Sequence, residues 1–235
     1  MPSIIVLMGP QGAGKGTQAQ MLTEAFGLPI VATGDMLRDI ALTETPLGHQ
    51  VREVQAAGSL VSDDILAEVV NERLSRGDCA NGCILDGFPR TLPQTRVLEK
   101  IAESQGHSIV VVEIDVPRDL LRKRLAGRRT CSVCGAIYHT QFKPSKNDGV
   151  CDLEGAPLFT RSDDHEESIA RRLGLYDEKT HPLLDYYSKT GRLYKVDGTG
   201  TSEEVGGRIA NVLKLTGGAP ATQSVADGRV SQELQ

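Results

Sequence analysis

Ser3-Ile4-Ile5-Val6-Leu7-Met8-Gly9-Pro10-Gln11-Gly12-Ala13-Gly14-Lys15-Gly16-Thr17 decides the fold. Its first six residues form a continuous apolar run, the pattern of a strand buried on both faces in a parallel sheet. A glycine-rich loop follows at once, and Lys15–Phe26 reads as a helix stopped by Gly27-Leu28-Pro29. Glycines let backbone N–H groups curl inward around one anion, and a helix N-terminus adds its positive dipole end. Lys15 supplies a full charge. The spacing Gly9-x4-Gly14-Lys15 is that of a phosphate-binding loop, with Gly16-Thr17 where the commonest form has Ser or Thr directly after Lys. Its position between strand and helix speaks against a merely structural turn and for a nucleoside triphosphate.

Working outward, residues 83–85, 108–114 and 192–196 read as further buried strands. Helical patterns cover 62–75, 92–104, 118–125, 166–187 and 202–215. Strands alternating with helices give an α/β fold, a doubly wound parallel sheet. Two segments break the alternation. Residues 33–60 are helical without an intervening strand, a small helical insertion. Residues 127–164 carry cysteine pairs, Gly, Pro and short alternating runs, a β-rich insertion too poor in apolar residues for its own core. Residues 217–235, rich in Gly, Ala, Ser and Gln, read as a flexible tail.

The 235 residues include 26 basic and 31 acidic side chains, a net charge of −5 that argues against binding bulk nucleic acid. No apolar run reaches the ~20 residues of a membrane span, and the N-terminal strand lacks the basic flank of a signal peptide. A cytoplasmic protein is expected. Five cysteines without an export signal argue against a disulfide framework.

Three further stretches narrow the chemistry. Ala32-Thr33-Gly34-Asp35-Met36-Leu37-Arg38 brings a hydroxyl, a helix start and an arginine within one short reach. Leu85-Asp86-Gly87-Phe88-Pro89-Arg90-Thr91-Leu92-Pro93-Gln94 follows a buried strand. Asp86 stands at that strand's C-terminal end, where open α/β sheets bind ligands, and can orient water on a phosphate-bound Mg²⁺. Gln94 offers a donor and an acceptor, suited to a base edge. The third stretch is arginine-rich: Arg124, Arg128, Arg129, Arg161, Arg171 and Arg172. Guanidinium forks match phosphate oxygens. Arg171 and Arg172 lie about 100° apart on a helix, so both cannot serve one phosphate equally. Arg52, Arg73, Arg96, Arg118 and Arg122 read as solvated surface charges.

Cys131-x2-Cys134-x16-Cys151-x2-Glu154 has the spacing of a four-ligand structural zinc site with a carboxylate as its last member. A small insertion needs such a staple. A reduced-thiol cluster is the plainer alternative. His139 could approach a base or support the metal. Cys79 and Cys83 read as structural thiols.

Taken in order, these motifs resemble the adenylate kinase family over residues 1 to about 215. The resemblance implies a core (1–31, 62–126 and 165–216), a nucleoside-monophosphate-binding insertion (32–61) and a long lid with a zinc knuckle (127–164). It implies a monomer that keeps adenine nucleotides in balance by converting ATP and AMP reversibly into two ADP with Mg²⁺. By the same resemblance, Gly12, Ala13, Gly14, Lys15, Gly16 and Thr17 hold the ATP phosphates. Arg124, Arg128, Ile137, Tyr138 and Gly200 also face ATP. Thr33, Arg38, Ser59, Leu60, Val61, Gly87, Phe88, Pro89, Arg90 and Gln94 meet AMP, and Arg161 and Arg172 close on AMP and the transferring phosphoryl. Lys15, Arg90, Arg128, Arg161 and Arg172 then form the catalytic set. The loop departs from the family at Pro10-Gln11, where Ala-Pro is more usual. The rivals are a UMP/CMP kinase of the same fold, which would carry different residues at Thr33 and Gln94, and a non-enzymatic nucleotide- or zinc-binding sensor.

Overall fold

A computed structural model describes residues 1–57, 59 and 61–217. In chain order it runs β1 (Ser3–Met8), α1 (Lys15–Phe26), β2 (Ile30–Ala32), α2 (Thr33–Ala41), α3 (Pro46–Ala56) and α4 (Asp63–Leu74). Then come β3 (Gly82–Asp86), α5 (Leu92–Gln105), β4 (Ser108–Asp115), α6 (Arg118–Ala126), β5 (Arg128–Cys131), β6 (Ile137–His139) and β7 (Leu158–Phe159). The chain closes with α7 (Glu166–Leu175), α8 (Pro182–Lys189), β8 (Leu193–Asp197) and α9 (Ser202–Thr216).

The strand order β2-β3-β1-β4-β8 is parallel throughout. Alternate residues of β1 feed opposite faces: Ile4, Val6 and Met8 pack with Leu85, Leu98 and Tyr187, while Ile5 and Leu7 pack with Leu22, Val112 and Ile209. This two-sided burial is what the unbroken apolar run requires. β1 lies between β3 and β4, so a crevice opens beyond the C-terminal strand ends where the chain departs to either side. The register sets Leu7 opposite Asp86, which brings the end of β3 beside the start of the phosphate loop. A second, antiparallel sheet has the order β6-β5-β7.

Two expectations about elements are corrected. The strand β2 is additional: its three residues, between Pro29 and the helix at Thr33, are too short for a periodicity to register. The expected continuous helix over 166–187 is broken. A π-helical stretch, Tyr176–Thr180, interrupts it, with His181 N–H donating to Tyr176 O at 2.8 Å. Pro182 is the cause, since it has no N–H to donate and its ring clashes with the carbonyl four residues back. Gly217, with φ 65°, ends α9; the rest of the expected tail lies outside the described residues. No helix among the described residues is long and apolar enough to cross a membrane.

Candidate active site

The phosphate loop connects β1 to α1. Gly9 has φ 142°, and a Cβ there would stand 2.8 Å from the Ile114 carbonyl, so the loop's first turn needs glycine. Gly14, the N-cap of α1, gives no side-chain cap, which leaves the helix's first N–H groups to the loop. Lys15 Nζ donates to Gly9 O (2.8 Å) and Pro10 O (3.1 Å). Burial pushes its pKa down from 10.5 to about 8; Asp86 opposes the shift, and Arg90, Arg172 and Arg128 add to it. Those three arginines therefore face the volume that Lys15 faces.

The other cations report the same convergence. Burial lowers Arg90, and Arg172 and Arg38 lower it further while Asp86 opposes. Burial pushes Arg161 down to about 10, with Arg128 and Arg38 adding to the shift. Arg172 is lowered by burial first, against Asp163, with Arg128 and Arg38 reinforcing. Six cations repelling one another across a crevice make a site for polyanions.

Carboxylates hold several of these cations. Arg128 makes a two-pronged pair with Asp164, Nε to Oδ2 at 2.7 Å and Nη2 to Oδ1. The Asp164 side chain is wholly buried. Arg172 Nη1 lies 2.7 Å from Asp163 Oδ2 and 3.9 Å from Asp164 Oδ1. Arg38 pairs with Asp35. Arg161 Nε donates to Thr130 Oγ1 (3.0 Å). Arg171 points elsewhere, to the Ala57 carbonyl, as the 100° offset between neighbours requires. Asp163, Asp164 and Thr130 were missed from sequence. The signal was the acidic pair two residues after Arg161, since a cluster of arginines needs counter-charges.

At the end of β3, a Cβ on Gly16 would stand 3.8 Å from Asp86 Oδ2, so this carboxylate faces the start of α1. Thr33, fully buried, donates to Asp86 O (3.3 Å). Gly87 has φ 87°, and a Cβ there would meet Thr33 Oγ1 at 2.7 Å and Arg90 Nη2 at 3.0 Å. Arg90 Nε donates to Gly87 O (2.7 Å). Phe88 and Pro89 are buried beside it. Gln94 is fully buried; its Oε1 accepts from Arg90 N–H (2.7 Å) and its Nε2 donates to Asp63 Oδ1 (2.6 Å). Asp63 was also missed, for it opens α4 among other acidic residues. Val61 is buried, Ser59 is exposed, and Leu60 lies outside the described residues.

On the opposite flank, Arg124 donates to Ala13 O (3.4 Å) and Gly198 O (3.1 Å), tying the phosphate loop to the turn before Gly200. Ile137 and Tyr138 lie on β6. The Tyr138 ring turns away from the crevice: its hydroxyl accepts from Asp152 N–H (2.8 Å) and lies 3.5 Å from Cys151 Sγ. Only its backbone is left to meet a nucleotide. His139 is corrected from both suggested roles. Its Nδ1 accepts from the N–H groups of Gln141 and Phe142, so Nε2 carries the proton and donates to Lys123 O (3.1 Å). It pins the root of the small sheet to α6. Arg73 is corrected too: it is mostly buried, forked onto Asp78, with Nη1 3.2 Å from Cys79 Sγ.

The Sγ atoms of Cys131, Cys134 and Cys151 lie within 4.8 Å of one another, Cys134 and Cys151 at 3.7 Å. Zinc–sulfur bonds of about 2.3 Å in a tetrahedron put sulfurs about 3.8 Å apart, so the trio fits that ion. Two equivalent turns build it. Gly135 N–H returns to Cys131 O, and Gly155 N–H to Cys151 O. Cys131 N–H reaches Ala136 O, and Cys151 N–H reaches Ala156 O. Gly135 and Gly155 have φ 69° and 65°. Glu154 thus occupies in the second turn the sequence position of Cys134 in the first, but its carboxylate is not among the ligand atoms that cluster with the three sulfurs.

The family model for adenylate kinase matches residues 7–192. An adenylate kinase of Carboxydothermus hydrogenoformans is 48% identical over 211 residues, covering 89% of this chain and 99% of its own length. That of Bacillus subtilis is 46% identical over 215 residues, 91% of this chain and 98% of its own. That of Thermodesulfovibrio yellowstonii is 46% identical over 211 residues, 89% and 98%. With a phosphate loop, a converging set of cations and this degree of likeness along nearly nine-tenths of its length, the chain belongs to the adenylate kinase family.

Proposed function

We infer that the chain moves the terminal phosphoryl group of ATP to AMP and back, giving two ADP. Family membership supports the reaction, and the observation that carries it is the cation set around Lys15, which suits charge stabilisation of a phosphoryl in flight. Gly12 to Thr17, with Arg124, Ile137, Tyr138 and Gly200, take ATP. Thr33, Arg38, residues 59–61, residues 87–90 and Gln94 take AMP. Lys15, Arg90, Arg128, Arg161 and Arg172 surround the transferred group, which passes between nucleotides without a covalent intermediate. On binding, phosphate oxygens replace Asp163 and Asp164 as partners of Arg128 and Arg172. Mg²⁺ accompanies ATP and neutralises phosphate charge; Asp86 is placed to hold its water.

The core comprises 1–31, 62–126 and 165–216. Residues 32–61 form the monophosphate-binding insertion and 127–164 the lid, whose closure excludes water. Cys131, Cys134, Cys151 and Glu154 hold one structural zinc ion; the repeat of the two turns supports Glu154 as fourth ligand. The protein acts as a cytoplasmic monomer.

The test is ADP formation from ATP with AMP, UMP or CMP as acceptor. AMP should be preferred, because Thr33 and Gln94 match the adenine-selective pattern. A kcat/KM for UMP or CMP equal to that for AMP overturns the assignment, and absence of ADP in every mixture returns the protein to a nucleotide sensor.

A further inference from the structure

Gln94 can read a base in two ways, because its amide can turn over and exchange oxygen for nitrogen. In this chain the choice is made by its neighbours. Arg90 N–H can only donate, and it takes Gln94 Oε1 at 2.7 Å. The Asp63 carboxylate can only accept, and it takes Gln94 Nε2 at 2.6 Å. Asp63 is itself held: Thr91 Oγ1 donates to its Oδ2 at 3.0 Å. Thr91 in turn caps α5 by accepting from Gln94 N–H at 3.3 Å. A closed circuit therefore joins the first turn of α4 to the first turn of α5, and the Gln94 amide is its central member.

An amide nitrogen has two hydrogens and an amide oxygen two lone pairs. The circuit uses one of each. One N–H and one lone pair remain, the donor–acceptor pair that a base edge needs. With Oε1 fixed as the oxygen, position 6 of a purine must offer a donor. Adenine offers its 6-amino group there, while a 6-oxo purine offers an acceptor. Gln94 is fully buried, so these protein partners, not solvent, sort its amide.

We propose that Asp63 is a specificity-determining positioning residue: by fixing the orientation of the Gln94 amide, it makes the site accept a 6-amino purine monophosphate and reject a 6-oxo one. The proposal rests on the reading that AMP is the acceptor. Asp63 touches no reacting atom. It acts through Gln94, by making the flipped amide leave a half-buried carboxylate facing an oxygen, an arrangement that costs more than a neutral hydrogen bond.

The experiment compares the parent with Asp63→Asn and Asp63→Ala. AMP and IMP compete in one reaction with ATP and Mg²⁺, and the ratio of their kcat/KM values is read from the two diphosphates formed. Because both acceptors meet the same preparation, the ratio is independent of how much of a variant is folded. The AMP:IMP ratio should fall by about tenfold or more in Asp63→Ala, which loses the charge-assisted hydrogen bond, and by less in Asp63→Asn, whose side-chain oxygen can still accept from Gln94 Nε2. The KM for ATP should stay within about twofold of the parent. A purely structural staple between α4 and α5 would lower both acceptors equally. A ratio within about twofold of the parent's in Asp63→Ala therefore overturns the proposal. A parent protein that does not phosphorylate AMP overturns the underlying reading as well, and is recognised before any variant is made.

Discussion

The five-stranded and three-stranded sheets each bring cations to one cluster, yet they are held in different ways. The large sheet buries an apolar cluster on each face. The small sheet buries Cys131, Tyr138 and Cys151, with Ala136, Ala156 and Leu158 half-covered around them. Val133, Phe142, Leu153 and Phe159, large apolar side chains of the small sheet's segment, stay exposed. Apolar burial therefore sets the phosphate loop rigidly before any ligand arrives. The small sheet depends on its cysteine cluster, on the His139 anchor and on the Arg128–Asp164 pair. A region held by a few polar contacts can swing as a unit while the core stays in place, as the lid closure proposed above requires.

The largest effect expected from this contrast is metal removal. Binding energy in structural zinc sites is folding energy, about 10 kcal/mol in small domains at neutral pH. Stripping the metal should speed amide exchange across 128–159 while β1, β3 and β4 keep their protection. Glu154→Ala should lose metal to a chelator faster than the parent, with the three thiolates still binding. Equal protection of both sheets with and without metal breaks the comparison; retention unchanged by Glu154→Ala moves the fourth ligand elsewhere.

Next in size is Lys15→Met. It removes the cation that the core fixes in the loop, and kcat for ADP formation should fall at least about a thousand-fold, about 4 kcal/mol, on the scale of transition-state charge stabilisation. The thermal midpoint should move by no more than a few degrees, because Lys15 bonds only loop carbonyls. A variant with near-parent kcat sinks the assignment of this lysine.

What sequence revealed follows the same division. The continuous apolar runs of β1, β3 and β4 and the glycine loop were legible because burial on both faces and anion binding each leave a local pattern. The cysteine spacing was legible for the same reason. β2 was not, since three residues carry no period. The break at Tyr176–Thr180 carries a sequence mark, Pro182, inside the helical pattern of 166–187. Asp163, Asp164 and Asp63 were hidden because their partners are distant or alternative: each becomes informative only once the chain has brought Arg128, Arg172 or Gln94 beside it. The inward turn of Tyr138 is likewise a product of packing against Cys151.

Asp164→Asn tests the polar clasp. Its side chain has no exposed surface and faces Arg128 through two bonds. Taking away one partner of a buried pair costs about 3 kcal/mol, because the other charge stays buried. The unfolding free energy from urea titration should fall by that amount, through a lower midpoint at an unchanged slope. An unaltered midpoint means the pair contributes nothing and that the small sheet is fixed by other contacts.

The smallest effect separates the two regions by titration. Burial lowers Lys15 in the core to about 8, whereas Arg161 beside the small sheet is lowered only to about 10. Between pH 7 and 9 the core cation therefore loses its proton while Arg161 keeps its charge. Since kcat/KM reports the free enzyme, the value for ATP should fall roughly tenfold across that interval. Bound triphosphate favours the charged amine, so kcat should hold to higher pH. Stability moves the other way. Between about 8 and 10.5 the folded chain holds fewer protons at this lysine than the unfolded chain, so its contribution to folding stability rises with pH. A fall in kcat/KM that accompanies unfolding would be a different event, and a thermal melt at each pH distinguishes them. A kcat/KM that stays flat to pH 10 would mean that Lys15 remains charged in the empty site, and the difference between the two regions in how they hold their cations would disappear.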